Sequence, residues 1–176
     1  MARAYQAEGW DEQKMDFKNP HQEIEPLERE IEAVGGALEV LVSAGVLPHD
    51  RYDGDKLLAH REGVRDQFDI PWTAISPRVQ RLLYAINAIR QPAVMIAAGC
   101  FCGNTFISNA GAAVGPGACY AARDLVGIEI KPDEAARAQR NVQQVSDGSV
   151  ARIVAADAVP FVRDYESPID LLYLDA

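Results

Sequence analysis

The chain contains no apolar run near the ~18 residues that a membrane-spanning helix needs. Its opening, MARAYQAEGWDEQKMDF, is too polar for a signal peptide, so the expected location is cytoplasmic and no membrane partner is expected. Positive charge is also short. Lys and Arg total 17 against 26 Asp and Glu, a formal net charge of −9, which argues against a general nucleic-acid surface because phosphate contacts need clustered bases. The three cysteines, Cys100, Cys102 and Cys119, are too few and too locally placed for a disulfide framework. No second cysteine or histidine pair completes a metal set around Cys100-x-Cys102, so buried free thiols are expected. The three histidines, His21, His49 and His60, are scattered through the N-terminal part and are expected at the surface.

What is present is an ordinary globular composition, 48% apolar and 24% charged, over 176 residues, about one domain with room for a core. Its centre is Ala93 to Phe106, AVMIAAGCFCGNTF. The apolar run reads as a strand buried on both faces of a parallel sheet, and Gly99 and Gly103 punctuate a turn into a helix. Without a Cβ, the two glycines would let the backbone approach a bound group, and the N–H groups that open the helix would favour a polar or anionic ligand.

In chain order, residues to about Pro20 read as a loose arm. Leu27, Ile31, Val34, Leu38, Leu41 and Val42 then recur at helical spacing behind acidic residues, with Gly45 and Pro48 closing the segment. Gly35 and Gly36 would weaken that helix by about 1 kcal/mol each, which points to a close packing contact or a kink. A second amphipathic segment, Asp55 to Phe68, puts Leu57, Leu58, Val64 and Phe68 on one side. Ile70 to Ile75 reads as an extended linker. Ser76-Pro77 is an N-cap followed by proline at the first helical position, and Val79, Leu82, Leu83, Ile86 and Ile89 form that helix's buried face.

Strands then alternate with helices. They are expected at Ala93 to Ala98, Leu125 to Ile130, Val150 to Ala156 and Ile169 to Leu174. Gly115-Pro116-Gly117, a helix opened by Pro132, and a short helix around Pro160 lie between them. In a doubly wound sheet the ligand lies beyond the carboxyl ends of the strands, at a switch point. Those ends carry the glycine turn, Glu129, Asp157 and Asp175. A carboxylate after the second strand suits two ribose hydroxyls, and one after the third suits an exocyclic amine. The turn lacks the GxGxxG triplet that admits a pyrophosphate, so a nucleoside cofactor without one fits better.

From about Thr73 to Ala176 these residues resemble a class I S-adenosylmethionine-dependent methyltransferase, most nearly the catechol and caffeoyl-CoA type O-methyltransferases. The family's I-G-T-F-T-G-Y-S is similar to Ala98-Gly99-Cys100-Phe101-Cys102-Gly103-Asn104-Thr105. Its G-x-D/E and following A-x-x-A-R-x-N helix resemble Gly127-Ile128-Glu129 and Ala135 to Asn141. Its G-D-A resembles Ala156-Asp157-Ala158, and its F-D-x-V-F-x-D-A resembles Ile169 to Ala176. Ile75-Ser76-Pro77 is like the segment leading into the family's first core helix.

The resemblance implies an α/β, Rossmann-like doubly wound parallel sheet, truncated, with strand order 3-2-1-4 and an N-terminal helical layer. Residues 1–70 would form an arm and helical cap, and residues 71–176 an incomplete S-adenosylmethionine-binding domain. Gly99, Cys100, Phe101 and Gly103 would line the methionine and ribose part of the cofactor, with Ile75 beside it. Glu129, followed by Ile130, would bind the ribose, and Asp157 with Ala158 would hold adenine. Asp175 would sit near the reacting methyl as the catalytic residue. In metal-dependent relatives the matching acid ligates a divalent cation, so a metal at Asp175 is part of the expectation. The acceptor would be a small molecule, roofed by the N-terminal helices.

Two departures stand out. Ala97 replaces the family's acid at the end of the first strand. The chain also ends after its fourth strand, whereas the family continues with three more strands. The expectation is that a second chain or second copy covers the fourth-strand edge, or that the chain belongs to a longer protein. Two other functions remain open: a catalytically silent methyltransferase-like subunit, and an NAD-dependent oxidoreductase, which the glycine spacing disfavours.

Overall fold

A computed structural model describes residues 26–69 and 75–175. The expected N-terminal arm and most of the linker after Asp69 lie outside the described residues. Helix α1 spans Leu27–Ser43, with Glu28 and Glu30 in the opening turn where the helix dipole favours acids. Val34 and Leu38, one turn apart, are buried against Ala85 and Ile89 of α3 (Pro77–Arg90). Of the packing contact or kink expected at Gly35 and Gly36, the contact is not found among the described residues, where a Cβ at either would meet nothing within 4 Å.

Helix α2 spans Gly54–Gln67, and Asp53 caps it by accepting from the backbone N–H groups of Asp55 and Lys56, both at 3.1 Å. Leu57, Val64 and Phe68 are buried, but Leu58, a third of a turn from Leu57, faces outward. In α3 the Ser76 hydroxyl accepts from Val79 N–H at 3.4 Å. The buried face is formed by Leu83, Tyr84, Ala85, Ala88 and Ile89, whereas Val79 in the first turn is exposed, unlike the expected pattern.

One ion cluster ties these helices together. Glu30 is fully buried, and its carboxylate accepts from Arg61 of α2 at 3.0 Å and from Arg81 of α3; Arg81 also reaches the Tyr52 hydroxyl at 3.0 Å. Burial alone would raise the Glu30 pKa; the hydrogen bonds and charges of Arg61 and Arg81 outweigh it and hold the group below its ordinary value. His60 departs from the surface position expected of it. It is 3% exposed, stacked on Tyr84 with ring centroids 6.1 Å apart, and seated where Gly111 and Gly117 leave room for its ring.

The sheet comprises β1 (Val94–Ala98), β2 (Asp124–Glu129), β3 (Ala151–Ala155) and β4 (Leu171–Leu174). All neighbours are parallel, in the order β3-β2-β1-β4. The order is the expected one; β1, β3 and β4 are one or two residues shorter than expected, and β2 keeps its expected length but begins and ends one residue earlier. The helices that connect them are α4 (Asn104–Ala110), α5 (Pro132–Val145) and α6 (Ala158–Arg163), with a 3-10 turn at Gly115–Gly117.

Alternation along the strands divides the core. Met95, Ala97, Leu125 and Ala151 pack with Phe106, Ile107 and Val142 on one side. Ile96, Val126 and Ile128 pack against Phe161, Val162 and Tyr165 on the other. In register, Leu172 pairs with Ile96 and Leu174 with Ala98, so both point to the α6 side, where they are 43% and 67% exposed. Among the described residues no helix is long and apolar enough to cross a membrane.

Candidate functional site

The site grows from the end of β1. Gly99, Phe101 and Gly103 all have positive φ, +84°, +49° and +90°. Two of these are glycines, which take that conformation freely; Phe101 takes it at a cost of about 1 kcal/mol. The turn is held from three directions. The N–H groups of Gly99 and Cys100 donate to the Ile128 carbonyl at 2.9 and 3.1 Å. Glu129, the last residue of β2, accepts the Phe101 N–H on Oε2 at 2.8 Å and the Lys131 N–H on Oε1 at 3.0 Å. Asn141 of α5 donates to the Cys102 carbonyl at 2.8 Å and exchanges two hydrogen bonds with the Asp69 backbone, Asp69 N–H to Oδ1 at 2.8 Å and Nδ2 to Asp69 carbonyl at 3.0 Å.

The two glycines serve the fold in a way the sequence does not announce. A Cβ on Gly99 would lie 1.8 Å from the Asp175 carbonyl oxygen, and one on Gly103 would lie 3.3 Å from Ala138 of α5. Close approach is therefore required by β4 and α5, inside the protein, before any ligand is considered.

A pocket of about 430 Å³ opens over this turn. It is lined by Ile75, Gly99, Cys100, Phe101, Glu129 and Asp175, all expected from the sequence, and by Cys102, Asn104, Thr105 and Lys131, which were not. Cys102 lies inside the glycine turn, Asn104 and Thr105 follow directly on it, and Lys131 stands two positions after Glu129, so adjacency was the available signal.

Four expected residues are not among the lining. Gly103 is buried under α5, and Ile130 points outward at 66% exposure. Asp157 caps α6, accepting Val159 N–H on Oδ1 at 2.9 Å, and lines a separate hollow of about 310 Å³ with Pro160, Phe161 and Tyr165. Ala158 lines neither hollow. The exit of β3 nonetheless runs beside the pocket, since Ala156 N–H donates to the Glu129 carbonyl at 3.0 Å.

Among the described residues none of α1 or α2 lines the pocket; α1 packs on α3, and α2 packs on the Gly115–Gly117 turn and on α5. Both thiols at the turn are buried and held protonated, Cys100 up to about 12, chiefly by burial.

Among the described residues no group of three or more His, Cys, Asp or Glu is placed to hold a metal ion. Asp175 stands without companions for that task. Of the two acids that line the pocket, Glu129 is committed to the turn, while the Asp175 side chain makes no hydrogen bond among the described residues.

No protein-family model matches the chain, and no curated protein gives a significant match. Solved structures do. An O-methyltransferase from Bacillus cereus in complex with SAH is 14% identical with a TM-score of 0.52, the alignment covering 83% of this chain and 63% of that one. SAH-bound methyltransferase PaMTH1 from Podospora anserina is 18% identical with a TM-score of 0.54, over 86% of this chain and 59% of that one. The likeness is one of fold, a Rossmann-like parallel sheet, and this chain spans about three fifths of the length of either structure.

Proposed function

We propose that the chain carries the cofactor-binding part of an S-adenosylmethionine-dependent methyltransferase acting on an oxygen of a small molecule. The observation that carries this is Glu129 bonded to the strained turn at Phe101, one acid closing the mouth of a pocket of nucleoside size. Each oxygen of that carboxylate accepts one backbone N–H and keeps a lone pair for a ribose hydroxyl. The SAH-bound state of structures with this fold supports the same ligand here.

The residues present fit such a cofactor. Glu129 would hold the ribose, Phe101 and Cys100 would pack beside the thioether, and Asn104, Thr105 and Ile75 would surround the amino-acid end. Asp157, with Ala158 and Ile130 nearby, would reach adenine only where the ligand extends past the β3 exit. When bound, S-adenosylmethionine supplies an electrophilic methyl group on sulfonium. The chain's own part is to orient and to exclude water. The free carboxylate of Asp175 would favour positive charge at the β1–β4 end of the pocket. A metal does not fit the described residues, and no step is assigned to one.

Residues 71–176 would form the ligand-binding unit and the preceding helices its brace. The exposed Leu172 and Leu174 on an edge strand support a covering element there, either further chain, a second copy or another subunit. Sedimentation of the purified chain tests that part, since a stable monomer with no partner would count against it. The second reading, a silent subunit, is favoured by Ala97, which is buried and apolar where the resembling family has an acid.

Titration calorimetry with S-adenosylmethionine, SAH and NAD separates the alternatives. Binding of the two sulfur nucleosides and not of NAD supports the methyltransferase; binding of none, with any covering partner supplied, supports the silent subunit.

A further inference from the structure

Asn104, the residue after Gly103, lines the ligand pocket and also a second, much smaller cavity of about 20 Å³ between α2, α3 and α4, where His60, Gln80 and Ser108 stand with it. Asn104 and His60 are each 3% exposed. Among the described residues neither carboxamide atom of Asn104 has a hydrogen-bond partner, and neither does Nδ1 of His60. Orphaned polar atoms at that depth are uncommon in folded proteins, and three around one cavity need an explanation.

The neighbours do not provide it. The Ser108 hydroxyl donates its one hydrogen to the Asn104 backbone carbonyl at 2.8 Å and has none left for His60 Nδ1. The other ring nitrogen of His60 is engaged by the Ile107 carbonyl, and burial, followed by the Arg61 charge, keeps the imidazole neutral. A neutral ring that donates from one nitrogen carries a lone pair on the other, so Nδ1 needs a donor. Asn104 has two donor hydrogens and one acceptor, all unused. A buried water needs about 10–15 Å³ of such space and two to four polar partners. The cavity meets both conditions.

We propose that this cavity is a one-water site, the water donating one hydrogen bond to His60 Nδ1 and making a second with the Asn104 carboxamide. The bridge makes Asn104 a positioning residue. It ties α2 to the wall of the ligand pocket at the point where the glycine turn becomes α4, so the brace helix helps set the shape of a pocket it does not line. The water site does not depend on which ligand that pocket takes.

A crystal structure of the chain with ordered waters resolved tests the first part. The expected result is one isolated density peak within hydrogen-bond distance of His60 Nδ1 and an Asn104 amide atom. An empty cavity, or a direct Asn104–His60 hydrogen bond, overturns the proposal, and this holds even if the variants below do not fold.

The second part uses the shape-conserving variants His60→Phe and Asn104→Leu and their double mutant. A shared water predicts that the double mutant melts within about 1–2 °C of the less stable single variant, because the bridge can be lost only once. Additive melting shifts contradict it. His60 does not touch the pocket, yet His60→Phe should move the backbone amide resonances of Cys102 to Thr105 and weaken SAH binding about threefold. Unmoved resonances refute the positioning role. If the wild-type chain binds no SAH while the water peak is present, the cofactor reading fails and the water site stands.

Discussion

The backbone N–H of Phe101, a residue at φ +49°, donates to the Glu129 carboxylate at 2.8 Å across the gap between the end of β1 and the end of β2. The same carboxylate takes the Lys131 N–H at 3.0 Å. A single side chain thus ties the positive-φ residue of the turn to the residue that precedes the next helix, alongside the Ile128 and Asn141 bonds that hold the rest of the turn. Strain in a turn persists only where the surroundings over-determine it, and here Glu129 is one of the determinants, together with the Ile128 carbonyl and Asn141.

Replacing that carboxylate separates its two tasks. Glu129→Gln keeps one acceptor for Phe101 or Lys131 and should cost about 1–2 kcal/mol of stability, while Glu129→Ala, which loses both charge-assisted bonds, should cost about 2–4 kcal/mol. Urea unfolding measures the difference. Both variants should weaken SAH binding at least tenfold, and an undiminished affinity in either would remove Glu129 from the ligand's reach.

Gly99 is the least replaceable glycine of the turn. An alanine there would put its Cβ 1.8 Å from the Asp175 carbonyl oxygen while also requiring φ +84°. Gly99→Ala should therefore destabilise by more than about 3 kcal/mol or prevent folding. Gly35→Ala, with open space around it on a helix, should stabilise by about 0.5–1 kcal/mol. Denaturation midpoints of the two variants, shifted in opposite directions, check the contrast.

The buried ion cluster makes a third prediction. Glu30→Gln leaves two guanidinium groups without their carboxylate and should cost about 3–5 kcal/mol. The Glu30 pKa lies below its ordinary 4.5 in the folded state, so its contribution is complete above that pH and is lost as pH falls through the folded value.

His60 acts earlier on the same axis. Burial first, and the Arg61 charge second, lower its pKa from 6.5 to about 4, against the opposing hydrogen bond to Ile107. Between those values the unfolded chain takes up a proton that the folded chain does not, so stability falls as pH drops. The loss is about 1.4 kcal/mol per pH unit, on the order of 3 kcal/mol across the window. Melting temperature against pH from 7 to 4 should slope for the wild type and flatten for His60→Phe. Equal slopes would show that another group controls acid stability.

The sheet was legible because its strands are short apolar runs bounded by turn residues, and such runs have little choice but a buried parallel sheet. Ser76-Pro77 marked the start of α3 for a similarly local reason. What the sequence concealed is non-local. Gly99 is explained by Asp175, which follows the neighbouring strand β4 and is distant only in sequence, and nothing near Gly99 in the chain hints at it. His60 looked like a surface residue because the glycines that make room for it, Gly111 and Gly117, lie in a different element. Asp157 was read as a ligand acid, yet an aspartate before a helix fits N-capping equally, and the structure has it capping α6. Glu129 ends its strand beside the glycine turn, as the sequence pattern indicates, and there it both lines the pocket and accepts the Phe101 N–H.

The most direct test of the central claim is to titrate the isotopically labelled chain with SAH and follow its backbone amide resonances. The account predicts that the amides of Gly99 to Thr105 and of Glu129 to Lys131 shift together with one dissociation constant, while α1 remains unmoved. Saturation with no shift in either segment, or shifts confined to a different surface, would contradict it.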